Sequence, residues 1–97
     1  HKDQQFVIGV PARELGQGDS EELVLIQGII DAYLDEEDGL VLIDYKTDYL
    51  QPGEEKKLTD RYGTQLEYYR RALTQMTGRR VKETIIYSMT LQKEIRL

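Results

Sequence analysis

Residues 24–46 read VLIQGIIDAYLDEEDGLVLIDYK, which is two apolar runs on either side of an acidic turn that ends in glycine. The apolar runs have the length of strands, and the polar residues between them are typical of a turn. The layout predicts an antiparallel hairpin of strands 24–33 and 40–46 around the turn 35–39. This hairpin decides the fold, because it places two carboxylates on neighbouring strands.

The register of the hairpin decides whether Asp31 and Asp44 meet. If Asp35 and Leu40 close a four-residue loop, the pairing continues back until Asp31 lies opposite Asp44. A slip of one residue would place the two on opposite faces of the sheet. Facing like charges are destabilising, and Lys46, on the same strand face as Asp44, would offset part of the repulsion. The sequence therefore predicts a compact group of two acids and a lysine.

Two interpretations of this group are open. A divalent cation held by both carboxylates would remove the remaining repulsion, and Mg²⁺ fits because it typically takes one or two carboxylates and keeps several waters. Alternatively, the acids are ordinary polar residues of a solvated sheet face, with Lys46 in a cross-strand ion pair. Spacing alone favours neither.

Composition limits the possible classes of protein. Ninety-seven residues, 39% hydrophobic and 32% charged, are typical of one small soluble domain. No apolar run approaches the roughly 20 residues of a membrane helix, and the polar start lacks the layout of a secretory signal. The chain has no cysteine, which excludes disulfides and thiolate metal sites. A cytoplasmic setting is compatible with this composition.

The net charge of −5 is unevenly distributed. Residues 1–50 carry about −9, and residues 51–97 carry about +4. A basic half beside an acidic pair would suit a phosphate-binding face next to a metal site. The simpler interpretation, that these are solvated surface charges, is favoured on charge alone. The basic residues concerned are Lys56, Lys57, Arg61, Arg70, Arg71, Arg79, Arg80 and Lys82.

The remaining elements follow from apolar patterns and turn residues. Phe6–Val10 predicts a short strand that Pro11 ends, followed by a loop over residues 16–22. Residues 49–57 predict a mobile loop, and residues 84–90 predict a strand that returns through a turn into a last short strand ending at Leu97. The order β, hairpin, α, β indicates an α+β or mixed α/β domain with a crossover that makes part of the sheet parallel. Neither the phosphate loop nor the dinucleotide glycine motif is present, so no ATP site is expected in this chain.

One amphipathic helix is predicted after the loop. Its start is either a cap at Asp60 or a capping box at residues 64–67, and Gly78 provides the stop. Gln65 and Tyr69 share one helix face, where the ordinary roles are a surface amide and a core tyrosine with its hydroxyl at the rim. The apolar stripe consists of Leu58, Tyr62, Leu66, Tyr69, Leu73 and Met76.

Three segments, taken in order, resemble the motifs of the RecB-like branch of the PD-(D/E)XK nucleases. They are Gly28–Asp31, Asp44–Asp48 and Gln65–Tyr69. More narrowly, residues 24–69 resemble the carboxy-terminal nuclease domain of the AddA family of helicase-nuclease proteins. The resemblance implies an α+β fold, namely a truncated restriction-endonuclease-like core with a mixed β-sheet, an antiparallel hairpin and one main helix.

The resemblance also implies roles for individual residues. Asp31 and Asp44 would bind the metal, with the Tyr45 backbone carbonyl as a further ligand, and Lys46 would be the catalytic lysine. The family's helical motif, which orients the site or holds DNA, corresponds here to Gln65 and Tyr69. The family also has an upstream helix with a histidine, a role that is not assigned to His1, and an acidic residue before the first strand, for which Asp3 is a weak candidate.

The function implied is that of a Mg²⁺-dependent deoxyribonuclease, with Mn²⁺ able to substitute. Residues 1–97 would be one nuclease-domain fragment of a longer bacterial cytoplasmic polypeptide, an exonuclease with ATP-driven helicase domains upstream. Its partners would be DNA and an AddB-like protein in double-strand-break repair and recombination, with no membrane involved. The alternative is a catalytically incomplete nuclease-fold module that binds DNA or a protein partner. Stand-alone exonucleases of the same branch typically carry cysteines for an iron-sulfur cluster, and this chain has none.

Overall fold

Five strands form one mixed sheet, and a long helix packs on one of its faces. The computed structural model describes residues 1–16 and 18–97, and the sheet order is β1-β2-β3-β4-β5. All neighbouring strands are antiparallel except β3 and β4, which are parallel because the helix connects them. The α+β architecture with a mixed sheet, a hairpin and one main helix is confirmed. The elements are β1 (Lys2–Pro11), a 3-10 helix (Ala12–Leu15), β2 (Leu23–Glu36), β3 (Gly39–Lys46), α1 (Lys56–Thr77), β4 (Val81–Ser88) and β5 (Lys93–Arg96).

The central hairpin has the predicted register but a tighter turn. Asp35 pairs with Leu40 as expected, and Glu36 also pairs with Gly39, so two residues rather than four connect the strands. Gly39 takes a φ of 150°, which glycine adopts without the steric strain of a side chain. The Arg79 guanidinium donates to the Glu36 carbonyl at 2.6 Å and to the Glu37 carbonyl at 3.1 Å, which holds the turn in place. Of the predicted loop 16–22, Gln17 lies outside the described residues.

Helix α1 begins earlier than either predicted start. It starts at Lys56, and the residue before it, Glu55, makes no side-chain capping bond. Asp60 lies in the first turns and pairs with Lys56 at 3.1 Å, so it stabilises the helix as an i,i+4 partner rather than as a cap. The capping box at residues 64–67 is wrong for the same reason, because it lies inside the helix. Gly78 ends the helix in the left-handed conformation, as predicted.

The core consists of two apolar clusters under the helix. The first joins the first three strands to the end of α1, and the second joins β4, β5 and the loop before α1 to the start of the helix. Leu50, in the loop predicted to be mobile, is buried in the second cluster. Tyr69 contacts both clusters. The helix face that carries Tyr69 therefore lies over the seam between the two clusters.

The opposite face of the sheet is partly apolar and exposed. Val7, Leu25 and Ile29 alternate with the buried residues of β1 and β2 and keep between 49% and 72% of their surface accessible. In the described residues, no helix is long and apolar enough to cross a membrane.

Candidate active site

The two predicted carboxylates meet where the β2–β3 ladder ends. The last pair toward this end is Ala32 with Ile43, and the same register places Asp31 opposite Asp44. Asp31 continues the strand contact with its side chain, because the Tyr45 backbone N–H donates to Asp31 Oδ2 at 3.0 Å. The structure thus brings the predicted pair together at the carboxyl end of β3.

A change of phase in β2 turns Asp31 toward this site. From residue 23 to Ile30 the even-numbered residues face the helix, whereas further along the strand Tyr33 is buried and Leu34 is exposed. Strict alternation would have kept Asp31 on the far face with Ile29. The switch occurs between Ile30 and Tyr33, and Asp31 lies within it. The position of the first carboxylate therefore depends on an irregularity in the strand.

Asp44 and Lys46 form a largely buried ion pair. The Lys46 Nζ lies 2.9 Å from Asp44 Oδ2, with only 4% of the Asp44 side chain and 18% of the Lys46 side chain accessible. The contact is electrostatic and lacks hydrogen-bond geometry, so within the described part of the chain Asp44 Oδ2 is a buried oxygen without a hydrogen-bond donor. Buried polar atoms are usually hydrogen-bonded. An oxygen of this kind indicates capacity for a further ligand.

The electrostatics of the group favour an additional positive charge. Burial raises the pKa of Asp44; Lys46 opposes this effect and the Asp31 charge adds to it, leaving the pKa raised. Burial alone would lower the pKa of Lys46, but the Asp44 carboxylate outweighs it and the pKa is raised. Lys46 is thus held protonated, whereas the ionised form of Asp44 is short of compensation. Two acids and one lysine leave a formal charge of −1.

The helix contributes Gln65 and Tyr69 to the same place. Gln65 Oε1 accepts a long hydrogen bond of 3.5 Å from the Lys46 ammonium. Burial raises the pKa of the Tyr69 hydroxyl, and the nearby Asp44 charge raises it further. Tyr69 therefore stays a neutral phenol beside the acids. Both residues predicted from the helical motif lie at the site.

Gly28 makes room for the Tyr69 ring. A Cβ built at Gly28 would lie 3.0 Å from two Phe6 ring atoms and 3.3 Å from the Tyr69 ring. The two rings meet edge to face, with centroids 5.1 Å apart. A side chain at Gly28 would push this aromatic pair away from the sheet. The glycine before Asp31 therefore has a packing role that the sequence did not reveal.

Two residues at the site had no predicted functional role. The Lys46 Nζ lies 4.0 Å from the centroid of the Tyr62 ring, and the Tyr62 hydroxyl donates to Asp48, 3.0 Å from each carboxylate oxygen. Burial opposes the charged form of Asp48, but the Tyr62 hydroxyl and the Arg61 guanidinium outweigh it and lower the pKa of Asp48. The i,i+3 spacing of Tyr62 and Gln65 places both on one helix face. That spacing was the available sequence signal.

The weaker candidates lie apart from the acid pair. Asp3 is exposed within β1, at a φ of 51°, and the register places it across from Asp31 without a ladder pair. His1 stacks on the Tyr33 ring at 4.4 Å. In residues 1–16 and 18–97, no group of three or more His, Cys, Asp or Glu side chains is placed to hold a metal ion. The site thus offers two carboxylates, within the number that Mg²⁺ typically takes.

The predicted basic face is largely neutralised within the chain. Seven of its eight residues form ion pairs with acidic side chains, and Arg80 donates to the Asp38 carbonyl at 3.4 Å. Exposed ion pairs of this kind are weak, typically about 0–1 kcal/mol, so the simpler interpretation as surface charges fits the structure. The pairs are Lys56–Asp60, Lys57–Glu54, Arg61–Asp48, Arg70–Glu67, Arg71–Glu14, Arg79–Asp35 and Lys82 with Glu36 and Asp38.

Comparisons with known proteins agree with the fold and the motifs. The PD-(D/E)XK nuclease superfamily matches residues 2–95. The chain is 40% identical over 131 aligned positions to the ATP-dependent helicase/nuclease AddA of Lachnoclostridium phytofermentans, covering 100% of the chain and 10% of that protein. The same-named protein of Acetivibrio thermocellus is 42% identical, covering 90% of the chain and 7% of that protein. That of Alkaliphilus oremlandii is 43% identical, covering 100% and 8%.

The chain spans about a tenth or less of the length of these curated relatives. The family match covers nearly the whole chain, including both strands that carry the acids and the helix that carries Gln65 and Tyr69. The chain therefore belongs to the PD-(D/E)XK nuclease superfamily.

Proposed function

We propose that this chain is the nuclease segment of an AddA-like helicase-nuclease and hydrolyses DNA phosphodiester bonds with a divalent cation. The observation that carries the proposal is the meeting of Asp31 and Asp44 beside Lys46, where a buried Asp44 oxygen lacks a hydrogen bond from any described residue. Catalytic carboxylates and lysines are often found where burial and like charge raise a carboxyl pKa. The family match supports the choice of nuclease chemistry.

The residues present fit a cation such as Mg²⁺. Asp44 would supply its unbonded Oδ2, and Asp31, with one oxygen committed to the Tyr45 N–H, would supply the other. The backbone carbonyl of Tyr45 is the proposed further ligand. A bound divalent cation supplies Lewis acidity, which activates water and offsets negative charge on the scissile phosphate.

Lys46 would act as an electrostatic stabiliser. Its raised pKa, caused by the Asp44 carboxylate outweighing burial, keeps the ammonium charged at neutral pH. A charged ammonium holds its proton and does not serve as a resting general base. It instead neutralises charge that develops on phosphate oxygens and orients the attacking water by donating to it. Gln65 holds this ammonium from the helix side, and Tyr69 remains a neutral phenol close to Asp44.

The whole protein's function is proposed from the names of the relatives. Those names describe an ATP-dependent helicase/nuclease, a protein of which this chain matches a small part. We infer that ATP-driven helicase domains of the same polypeptide feed DNA to this exonuclease site. An AddB-like protein would be the partner in double-strand-break repair and recombination, in the bacterial cytoplasm.

The test is DNA cleavage by the full-length polypeptide with and without Asp44→Asn. Asparagine keeps the shape of the side chain but removes the charge that would hold the metal, so cleavage should be lost while helicase activity remains. Asp60→Asn is the matched control, because Asp60 is an exposed acid of α1 that pairs with Lys56 on the helix surface. Cleavage by Asp44→Asn at the wild-type rate would refute the assignment.

A noncatalytic module is the second candidate. It is favoured by one observation, the lack of a third acidic or histidine side chain at the acid pair in the described residues. Such a module would bind DNA through basic side chains freed from their surface ion pairs, and its affinity would fall with salt. DNA affinity that depends on salt but not on Mg²⁺, together with no cleavage by the wild-type polypeptide, would support this candidate.

A further inference from the structure

The position of the Lys46 ammonium is determined by more than its ion pair. Three groups surround it, namely Asp44 Oδ2 at 2.9 Å, Gln65 Oε1 at 3.5 Å and the face of the Tyr62 ring at 4.0 Å. Gln65 is an exposed side chain with rotational freedom. Asp44 is the carboxylate that a metal would engage. The ring is therefore the contact that stays with Lys46 when Asp44 turns to another ligand.

Tyr62 is itself fixed at both ends. Its ring packs against the second apolar cluster, and its hydroxyl donates to Asp48, 3.0 Å from each oxygen. A hydrogen bond to an ionised acceptor is stronger than one between neutral groups. The pairing of Asp48 with Arg61 helps keep this acceptor charged. The ring consequently has little freedom to move away from Lys46.

Asp48 belongs to a segment that is tied to β4. The Met89 N–H donates to the Lys46 carbonyl at 2.9 Å, and the Thr90 hydroxyl donates to the Asp48 carbonyl at 2.7 Å. Only 14% of the Asp48 side chain is accessible. The acceptor for Tyr62 is therefore part of the sheet edge that also carries Lys46, rather than of a free loop.

We propose that Tyr62, anchored by Asp48, is a positioning residue that holds the Lys46 ammonium over the acid pair. Cation–π contacts with tyrosine are directional and strengthen when the site is shielded from water. The ring fixes where the ammonium lies without lowering its charge. This inference rests on the proposed nuclease function for its catalytic consequence, whereas the geometric part concerns the chain alone.

The kinetic test compares Tyr62→Leu and Tyr62→Phe in the full-length polypeptide. Tyr62→Leu removes the ring and should lower kcat about tenfold with KM unchanged, which corresponds to about 1.4 kcal/mol. Tyr62→Phe keeps the ring but loses the anchor, so it should recover most of the rate. Tyr68→Leu is the matched control: this half-buried tyrosine of α1 lies 5.9 Å from the Arg71 guanidinium and contacts the first cluster instead.

A double variant separates positioning from general destabilisation. In a Lys46→Met background, Tyr62→Leu should cause no further loss of kcat, because the residue it positions is absent. An equal further tenfold loss would overturn the inference. Equal kcat values for wild type and Tyr62→Leu would overturn it as well, while the proposed function would stand if Asp44→Asn is inactive.

A readout independent of cleavage is the chemical shift of the Lys46 side chain. Protons held over an aromatic face are shifted upfield, so NMR of the metal-free 97-residue chain should show Lys46 Hε signals upfield of the other lysines. The shift should vanish in Tyr62→Leu and persist in Tyr68→Leu. Ordinary Lys46 shifts in a wild-type chain with a dispersed spectrum would overturn the inference. Cleavage by Asp44→Asn would instead overturn the proposed function and leave this geometric result intact.

Discussion

Replacing Lys46 with methionine should destabilise the chain far more than loss of an ordinary surface charge. The two charges of the pair are 2.9 Å apart, which at an effective dielectric constant of about 20 gives an attraction of about 6 kcal/mol. Desolvation costs several kcal/mol for each ion, so the intact pair contributes little net stability. Removing Lys46 abolishes the attraction but leaves Asp44 buried. We expect a loss of about 3 kcal/mol, the lower end for buried pairs, because the ammonium keeps partial contact with solvent.

The assay is urea unfolding of a double-mutant cycle. Asp44→Asn in the Lys46→Met background should restore most of the lost free energy of unfolding, since the stranded charge is then gone. Lys56→Met is the control, because its ion pair with Asp60 is exposed and should contribute about 0–1 kcal/mol. A loss in Lys46→Met no larger than in Lys56→Met, or no rescue by Asp44→Asn, would refute this account of the site's electrostatics.

Three further predictions concern stability. Gly28→Ala should cost about 1–3 kcal/mol in urea unfolding, because the methyl group meets the Phe6 and Tyr69 rings; an unchanged midpoint would contradict the close packing. Gly78→Ala should cost about 1 kcal/mol, because the helix ends there at a φ of 70°; circular dichroism melting would show no change if the left-handed cap were absent. The hydrogen-bonding partners of Asp48 lower its pKa despite burial, so its contribution is complete above the ordinary aspartate value and is lost as pH falls below about 4; Asp48→Asn should remove that part of the acid sensitivity, and equal acid profiles for both proteins would contradict the shift.

The hairpin could be predicted because its register follows from local information. The acidic turn and Gly39 limit where the strands reverse, and the apolar alternation of β3 sets which residues face the helix. Together they place Asp31 opposite Asp44 whether the turn has two or four residues, because both keep the same pairs. The order and the parallel crossover follow from the single long helix between β3 and β4.

Other features depend on tertiary contacts that no local pattern encodes. The phase change of β2 at Asp31 requires the side-chain bond to the Tyr45 N–H. The early start of α1 has no side-chain cap that a sequence motif would reveal. The neutralisation of the basic half arises from partners distant in sequence, such as Arg71 with Glu14. Charge counting along the chain cannot show which cations are already paired.

The positioning of Lys46 illustrates the same limit at the site. The spacing of Tyr62 and Gln65 shows that they share a helix face, but a tyrosine in an apolar stripe is ordinarily a core residue. The contact of the Tyr62 hydroxyl with Asp48 joins the helix to the end of β3 across fourteen positions of sequence. Only the folded arrangement distinguishes a core ring from one that carries a cation.

The most direct test of the central claim is isothermal titration of the chain with Mn²⁺, comparing wild type with an Asp31→Asn/Asp44→Asn double variant. The proposed site predicts saturable binding by the wild type and loss of binding in a double variant that keeps its circular dichroism spectrum. Unchanged binding in the folded double variant, or no binding by the folded wild type, would contradict the claim that these two carboxylates form the metal site.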